Sequence, residues 1–171
     1  AGLVNSNASN QAVTFVDNHD TVRSQYGGAP IGEYAQQAYA YILMQPETPT
    51  IFWKDYYHKG MKVALNKLIK ARRYFAYGPE KEYPTKNGQD VYCYSRQGLD
   101  NQPGTGLVLM LSDGTGGEDI SRELATGRPN TTFIDYTGHY TESITTDGDG
   151  KAAFKVKCSA DKGWSVWVPV Q

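Results

Sequence analysis

Cysteine is scarce in this chain of 171 residues, long apolar runs are absent, and neither sign of charge prevails. The two cysteines, Cys93 and Cys158, are too few and too far apart for a zinc motif. No apolar stretch approaches the roughly 18 to 20 residues that a membrane-spanning helix needs. Seventeen Lys and Arg balance eighteen Asp and Glu without a long block of either sign, which argues against nucleic acid or a membrane surface as a partner. These absences predict a soluble globular protein.

The two cysteines leave two interpretations open. Both lie in segments rich in strand-forming residues, so they would pair if those strands are neighbours, and a disulfide would suit an extracellular protein. The alternative is two separate buried thiols.

The first half of the sequence alternates short apolar runs with helical patterns. We predict a strand at residues 13–16, a helix at about 33–45 that ends at Pro46, a second strand at 49–53, and a second helix at about 61–76 that ends at Gly78 and Pro79. This order is typical of parallel βα units, in which ligands bind at the carboxyl ends of the strands. Polar loops follow both predicted strands, at residues 17–20 and 54–60.

From about residue 87 onward, short β-rich runs alternate with turns that contain Gly, Asp and Asn. They indicate a small antiparallel sandwich with strands at 90–95, 106–111, 131–135, 140–145, 152–156 and 164–168, and a possible further strand at 121–124. Trp164 and Trp167 are three apart in one of these strands. They should therefore lie on opposite faces, with at least one in the core.

The polar loop at residues 17–20 reads Asp17-Asn18-His19-Asp20 and is the most informative segment. Carboxylates can bind sugar hydroxyls through paired hydrogen bonds, and an imidazole can donate to a hydroxyl in an oxocarbenium-like transition state. Two other interpretations remain open from the residues alone. One is a structural turn in which Asp17 and Asn18 cap the backbone, and the other is a metal site formed by His19 with Asp17 or Asp20.

Residues 15–20, Phe-Val-Asp-Asn-His-Asp, resemble the fourth conserved sequence region of the α-amylase family, at the end of barrel strand seven. Residues 37–43 and 48–53 are similar to helix seven and strand eight of bacterial liquefying and maltooligosaccharide-forming amylases. Residues 107–117 are similar to the family's C-terminal sandwich domain. The resemblance therefore extends over nearly the whole chain.

This resemblance implies a fold and a set of roles. Residues 1–86 would form the last two βα units of a (β/α)₈ TIM barrel, and residues 87–171 a Greek-key antiparallel β-sandwich. Asp20 would be the third catalytic carboxylate, which binds and distorts the sugar at the cleavage point, and His19 would stabilise the transition state beside it. The aromatic residues Trp53, Tyr56 and Tyr57 would contact starch or maltooligosaccharides.

The same resemblance implies that the chain is part of a longer glycoside hydrolase, an α-amylase that cleaves internal α-1,4-glucosidic bonds with retention. Such enzymes need a nucleophilic Asp and an acid/base Glu, and neither motif is present in this sequence. We therefore expect the chain alone to be inactive. The missing N-terminal part of the barrel would be its partner, because an apolar sheet edge would otherwise be exposed. Secretion, and hence an extracellular location, is the expected localisation.

Calcium is the expected cofactor, in a structural role. By resemblance, Asp90 and Asp113 would be the sandwich-side ligands of a site that joins barrel to sandwich, and hard oxygen ligands suit this ion. Gln89 departs from the family pattern, which has a histidine there. The alternative is that both carboxylates belong to turns at strand ends.

Two other functions are compatible with these motifs. The chain would be a noncatalytic starch-binding or assembly module if only its sandwich binds glucan. It would be part of a transglycosylating relative if the strand-seven motif serves that chemistry instead.

Overall fold

The computed structural model describes residues 11–23, 31–84, 91–159 and 161–170. Helices dominate the first half of these ranges and strands the second, as the sequence predicts. The elements in chain order are β1 (Val13–Phe15), α1 (Ala35–Met44), β2 (Thr48–Thr50), α2 (Trp53–His58), α3 (Lys62–Phe75), β3 (Glu80–Tyr83), β4 (Val91–Arg96), β5 (Leu107–Ser112), β6 (Asp119–Ala125), β7 (Thr132–Asp135), β8 (Ser143–Thr145), β9 (Lys151–Lys157) and β10 (Trp164–Pro169).

Strands β1 and β2 form a parallel pair that is connected through α1. Val13 lies opposite Thr48 and Phe15 opposite Thr50. Helix α1 ends at Met44 because Gln45 is extended, with ψ 163°, as is usual for the residue before a proline. Parallel pairing brings the carboxyl ends of both strands to one edge, so the segments that follow β1 and β2 are neighbours.

The segment after β2 differs from the prediction. The second strand ends at Thr50 rather than Trp53, and the stretch predicted as a loop contains the short helix α2. Its first turn forms where the backbone N–H groups of Asp55 and Tyr56 donate to the carbonyl of Phe52, at 3.1 and 3.3 Å. A helix of six residues is too short to show an apolar period, which is why the sequence pattern did not indicate it.

Helix α3 confirms the second predicted helix within a residue or two at each end. Its buried side chains, Leu65, Leu68, Ala71 and Phe75, recur at the three- and four-residue spacing of one helix face. This face packs against α1, and both helices contribute to the first of two hydrophobic cores.

Two antiparallel sheets contain the remaining strands. One has six strands in the order β3-β4-β5-β10-β7-β8, and the other pairs β6 with β9. The seven strands predicted after residue 87, including the possible one at 121–124, are all present with bounds shifted by a few residues. Strand β3 was missed because its sequence, Glu-Lys-Glu-Tyr, is mostly charged and lies at the edge of the sheet.

The six-stranded sheet separates the two hydrophobic cores. The first core lies between this sheet and helices α1 and α3, and the second lies between this sheet and the β6–β9 pair. Strand β10 is buried along its whole length and contributes Trp164 to the first core and Trp167 to the second. The predicted alternation of these two rings is confirmed, and both are core residues.

Both cysteines are free and buried, so the structure agrees with the two separate thiols rather than the disulfide. Burial raises the pKa of the Cys93 thiol to about 11. Within the described ranges, no helix has the length and apolar character needed to cross a bilayer. The division of the chain at residue 86 stays a prediction.

Candidate functional site

The turn after β1 is fixed by the side chain of Asn18. Its Oδ1 accepts hydrogen bonds from the backbone N–H groups of Asp20 and Thr21, at 2.8 and 3.0 Å. In return, the backbone N–H of Asn18 donates to the hydroxyl of Thr21 at 2.9 Å. This reciprocal arrangement caps the single 3-10 turn at Thr21–Arg23 and holds His19 and Asp20 at the tip of the loop.

Asp17 does not face solvent with its neighbours in this turn. Its side chain is buried and accepts a hydrogen bond from the hydroxyl of Thr21 at 3.3 Å. The ammonium of Lys59, which directly follows α2, lies 3.1 Å from Asp17 Oδ2. Asp17 therefore anchors the turn, which agrees with the alternative that Asp17 and Asn18 belong to a structural turn.

Lys59 also pairs with a second buried carboxylate. Its Nζ lies 2.8 Å from Oδ1 of Asp55, one helical turn earlier in the chain. The hydroxyl of Tyr39, on α1, donates a hydrogen bond to Asp55 Oδ2 at 2.6 Å. It accepts one from the backbone N–H of Phe52 at 3.2 Å. We call the four side chains of Asp17, Lys59, Asp55 and Tyr39 the Lys59 network.

The electrostatics of this network favour the charged lysine and the neutral tyrosine. Burial lowers the pKa of Lys59, but hydrogen bonding and attraction to Asp55 and then Asp17 outweigh it, so the pKa is raised overall. Burial, followed by the hydrogen bond to Asp55, raises the pKa of Tyr39 well above its usual value. Both groups therefore keep their protons at neutral pH.

His19 and Asp20, in contrast, are accessible. His19 Nε2 lies 3.4 Å from Asp20 Oδ1, and the two side chains are 79% and 41% exposed. The hydrogen bonds that hold the backbone of the turn come from Asn18 and Thr21. The side chains of His19 and Asp20 are not needed for them and can therefore bind a ligand. The arrangement offers a carboxylate acceptor beside an imidazole that can donate.

A cavity of about 350 Å³ opens beside His19. Its walls come from the two strand-end segments, and its lining residues are His19, Val22, Phe52, Trp53, Lys54 and His58. We call His19 and Val22 the β1 wall, and the other four residues the β2 wall. The ring of Trp53 is 59% exposed and meets the His58 ring edge to face, with 5.2 Å between centroids. An exposed indole beside polar groups suits the apolar face of a sugar.

The aromatic residues predicted to contact glucan separate into two groups. Trp53 lines the cavity with His19, whereas Tyr56 and Tyr57 are not among its lining residues. The Tyr56 hydroxyl donates to Asn66 Oδ1 at 2.9 Å, and its ring packs edge to face on that of Tyr57. Tyr57 is 68% exposed on the outer side of α2.

The calcium prediction involves a residue that the structure does not describe. Asp90 lies outside the described residues, and Asp113 is exposed just after β5. In the part of the chain that is described, no three His, Cys, Asp or Glu side chains converge to form a metal site. One exposed carboxylate is not a calcium shell, so calcium stays a prediction.

Sequence reasoning missed His58 in the cavity wall and the Lys59 network behind it. The spacing of Asp55 and Lys59 by four residues was a usable signal for an ion pair, but only if the segment is helical. No local pattern links Lys59 to Asp17, which lies 42 residues earlier.

The chain is similar in sequence to proteins named as α-amylases and to a glucan 1,4-α-maltohexaosidase. No family model matches the chain. The chain is 35% identical to the α-amylase of Geobacillus stearothermophilus over 92% of its length, and 30% identical to the glucan 1,4-α-maltohexaosidase of Bacillus sp. (strain 707) over 98%. It is 31% identical over 92% of its length to an Escherichia coli protein named cytoplasmic α-amylase.

The chain spans 29%, 33% and 34% of these relatives, about a third of their length. Among solved structures, the chain resembles an α-amylase from Geobacillus thermoleovorans in complex with acarbose. The TM-score is 0.67 at 14% identity, over 96% of this chain and 40% of that one. This likeness supports the fold alone.

Proposed function

Because the chain is homologous to part of the α-amylases, we propose that it supplies one edge of the active site of a retaining glycoside hydrolase that cleaves internal α-1,4 bonds of starch. Residues 1–86 would belong to the (β/α)₈ barrel of that enzyme, and residues 87–171 would form its Greek-key sandwich. The nucleophile and the general acid would come from parts of the enzyme that this sequence does not span.

One observation carries the proposal: Asp20 and His19 are exposed together on a hydrogen-bonded turn at the carboxyl end of a parallel strand, beside a cavity with an exposed tryptophan. In parallel βα structures, this end of the strand is where ligands bind. The carboxylate of Asp20 accepts hydrogen bonds from two neighbouring hydroxyls of one sugar ring. Trp53 offers an apolar surface for the ring face.

Each side chain has a distinct role in this mechanism. Asp20 holds the sugar at the cleavage point in a distorted shape that approaches the oxocarbenium-like transition state. His19 donates a hydrogen bond to a sugar hydroxyl and orients the ring. The hydroxyls that donate to the Asp20 carboxylate become better donors as positive charge develops on the ring. Neither group attacks the substrate, so both act through binding that is tighter in the transition state than in the ground state.

The test is starch hydrolysis by the full-length protein that carries this sequence, with Asp20→Asn as the key variant. We expect kcat to fall about 10²- to 10³-fold, because one preorganised transition-state contact is lost. Asp149→Asn, which changes an exposed carboxylate in a turn of the sheet region, is the matched control and should retain wild-type kcat. Reducing-sugar release and the anomeric configuration of the first product are the measurements.

Three outcomes would contradict the proposal. If Asp20→Asn retains the activity of Asp149→Asn, the strand-end pair is not part of the active site. If the 171-residue chain alone releases sugar in an Asp20-dependent way, the remaining catalytic groups lie within it. Binding of starch without hydrolysis by the full-length protein would favour the noncatalytic module instead.

Two further expectations remain predictions. Structural calcium, held through Asp113 and Asp90, would join the two regions, and no step of the mechanism depends on it. Extracellular localisation is also a prediction, and the free cysteines add no support to it.

A further inference from the structure

Lys59 is in contact with both segments that form the cavity. It directly follows the β2 wall in sequence, next to His58, and its ammonium reaches across to Asp17 at the base of the β1 wall. Asp17 in turn is tied to Thr21, whose backbone N–H is held by Asn18. A continuous set of contacts therefore runs from Lys59 to the turn that presents His19 and Asp20.

The backbone does not hold these two walls together. The parallel pairing of β1 with β2 ends at Phe15 and Thr50. Beyond it, no backbone hydrogen bond joins residues 16–23 to residues 51–60, whose backbone the structure describes. Among the side chains that the structure describes in these two segments, Lys59 and Asp17 form an ion pair that links them.

Lys59 supplies the positive charge that faces two buried carboxylates. Asp17 and Asp55 are both buried, with side chains 1% and 0% exposed. The ammonium of Lys59, 2.8 Å from Asp55 Oδ1, compensates the charge of this buried carboxylate. Two buried carboxylates without a cation would repel each other and draw in water, which would move the walls apart.

We propose that Lys59 is a positioning residue that fixes the β1 wall against the β2 wall, and so sets the placement of Asp20 and His19 relative to Trp53. This inference rests on the proposed function for its kinetic consequence, but its structural consequence is independent of that function. Lys59 does not contact the cavity itself, so it acts through Asp17 and the turn.

The discriminating variant is the double substitution Asp17→Asn with Lys59→Met. It removes the cross-link and leaves no buried charge at residue 17, so one buried carboxylate fewer is unpaired than with Lys59→Met alone. Asp55 keeps the hydrogen bond from Tyr39 but also loses its cation, so both readouts are taken well below the unfolding temperature of the variant. Lys62→Met is the matched control, because Lys62 lies over the rings of Tyr56 and Tyr57 at 5.8 and 5.9 Å, away from the network. Lys59→Arg preserves the charge.

The first readout is amide hydrogen exchange in the full-length protein that carries this sequence. The N–H groups of Asp20 and Thr21 should exchange about tenfold faster or more in the double variant than in Lys62→Met, the factor expected when one hydrogen bond to a charged group is lost. Amides in β5 and β10 should exchange at unchanged rates. Lys59→Arg should preserve the protection of both turn amides.

The second readout is kinetic, in the full-length protein. The double variant should lower kcat on starch about 10- to 100-fold with little change in KM, because a small displacement of a catalytic group is costly. Lys59→Arg should recover most of the lost kcat. A residue that only stabilises the fold would change the unfolding temperature but not kcat below it.

The two readouts separate the possible failures. If the turn amides and kcat of the double variant match those of Lys62→Met, the positioning role of Lys59 is overturned. If the full-length protein does not hydrolyse starch, or Asp20→Asn leaves kcat unchanged, the proposed function fails. The exchange rates then still decide the role of Lys59.

Discussion

Arg72 forms hydrogen bonds with the end of α1 and with the segment that leads from it to β2. Its guanidinium, on α3, donates to the carbonyl oxygens of Leu43, Gln45 and Glu47, at 2.8, 2.5 and 2.6 Å. Two of these carbonyls lie beyond the last helical residue, where the backbone has no intrahelical partner. The side chain of Arg72 therefore supplies hydrogen bonds to three carbonyl groups at the end of α1 and in the connection to β2.

We predict that Arg72→Met lowers the free energy of unfolding by about 2–4 kcal/mol, because three carbonyl groups lose a charged donor. The adjacent Arg73 is the control, since it is exposed and only stacks on Tyr74. Arg73→Met should change stability by less than about 0.5 kcal/mol. Urea unfolding followed by circular dichroism measures both, and equal effects would contradict the role of Arg72.

The sequence was most informative at the residue scale where chemistry is local. Asp20 and His19 were assigned from the resemblance of residues 15–20 to a family motif. The structure exposes both side chains on one turn, and their roles stay a prediction. A structural turn that includes Asp17 was one of the open alternatives, but the partner of Asp17, Lys59, lies 42 residues away. Such a long-range ion pair depends on the packing of α2 against the turn, which no local pattern contains.

Gly78 determines how closely the end of α3 approaches the large sheet. Its φ is +85°, and a Cβ built on it would lie 2.0 Å from the carbonyl oxygen of Gly98. Gly98, with φ +77°, in turn donates its N–H to the carbonyl of Tyr77 at 2.9 Å. Two backbones meet here without side chains between them.

Gly78→Ala should therefore destabilise the fold by about 3 kcal/mol, from the positive φ and the overlap with rigid backbone together. Gly148→Ala is the matched control, since a Cβ there meets nothing within 4 Å. It should be neutral within about 0.5 kcal/mol. Thermal unfolding of the two variants measures the difference, and similar midpoints would show that the junction can relax.

At the scale of elements, the sequence predicted what its side-chain periods encode. The apolar residues of α3 recur with the period of a helix, and Trp164 and Trp167 have the spacing that places them on opposite faces of a strand. The structure contains both features. Helix α2 and strand β3 have no such period. Asp55 is buried in α2 through the Lys59 network, and β3 is a charged edge strand, so tertiary contacts determine both elements.

The stability of the whole molecule should fall in alkaline solution. Burial raises the pKa of Tyr39, Tyr94 and Tyr140 well above the ordinary value near 10.0. Above about pH 10, the unfolded chain therefore binds fewer protons than the folded one, so the free energy of unfolding falls as pH rises. Lys59, whose pKa is also raised, contributes with the same sign.

We expect a loss of up to about 1.4 kcal/mol per buried tyrosine per pH unit above pH 10. Urea unfolding at intervals from pH 8 to 11 measures it. Tyr94→Phe should flatten the slope, because one of the protons retained on folding is removed. A free energy of unfolding that stays constant across this range would contradict the assignment of these tyrosines as buried and protonated.

The architecture as a whole was predicted in outline only. The change from helices to strands near the middle of the chain was visible in composition. The strand order was not, because the insertion of β10 between β5 and β7 depends on pairing between distant segments. Only contacts in three dimensions determine which strand lies in the centre of a sheet.

Strand β10 has a consequence for how the protein is made. Trp164 and Trp167 complete the two cores from opposite faces of one strand, and β10 follows every other described strand along the chain. During synthesis, the edges of β5 and β7 that pair with β10 therefore have no hydrogen-bond partner until β10 has been made. Neither core can close until β10 has been synthesised, so both should form in one step that includes this strand.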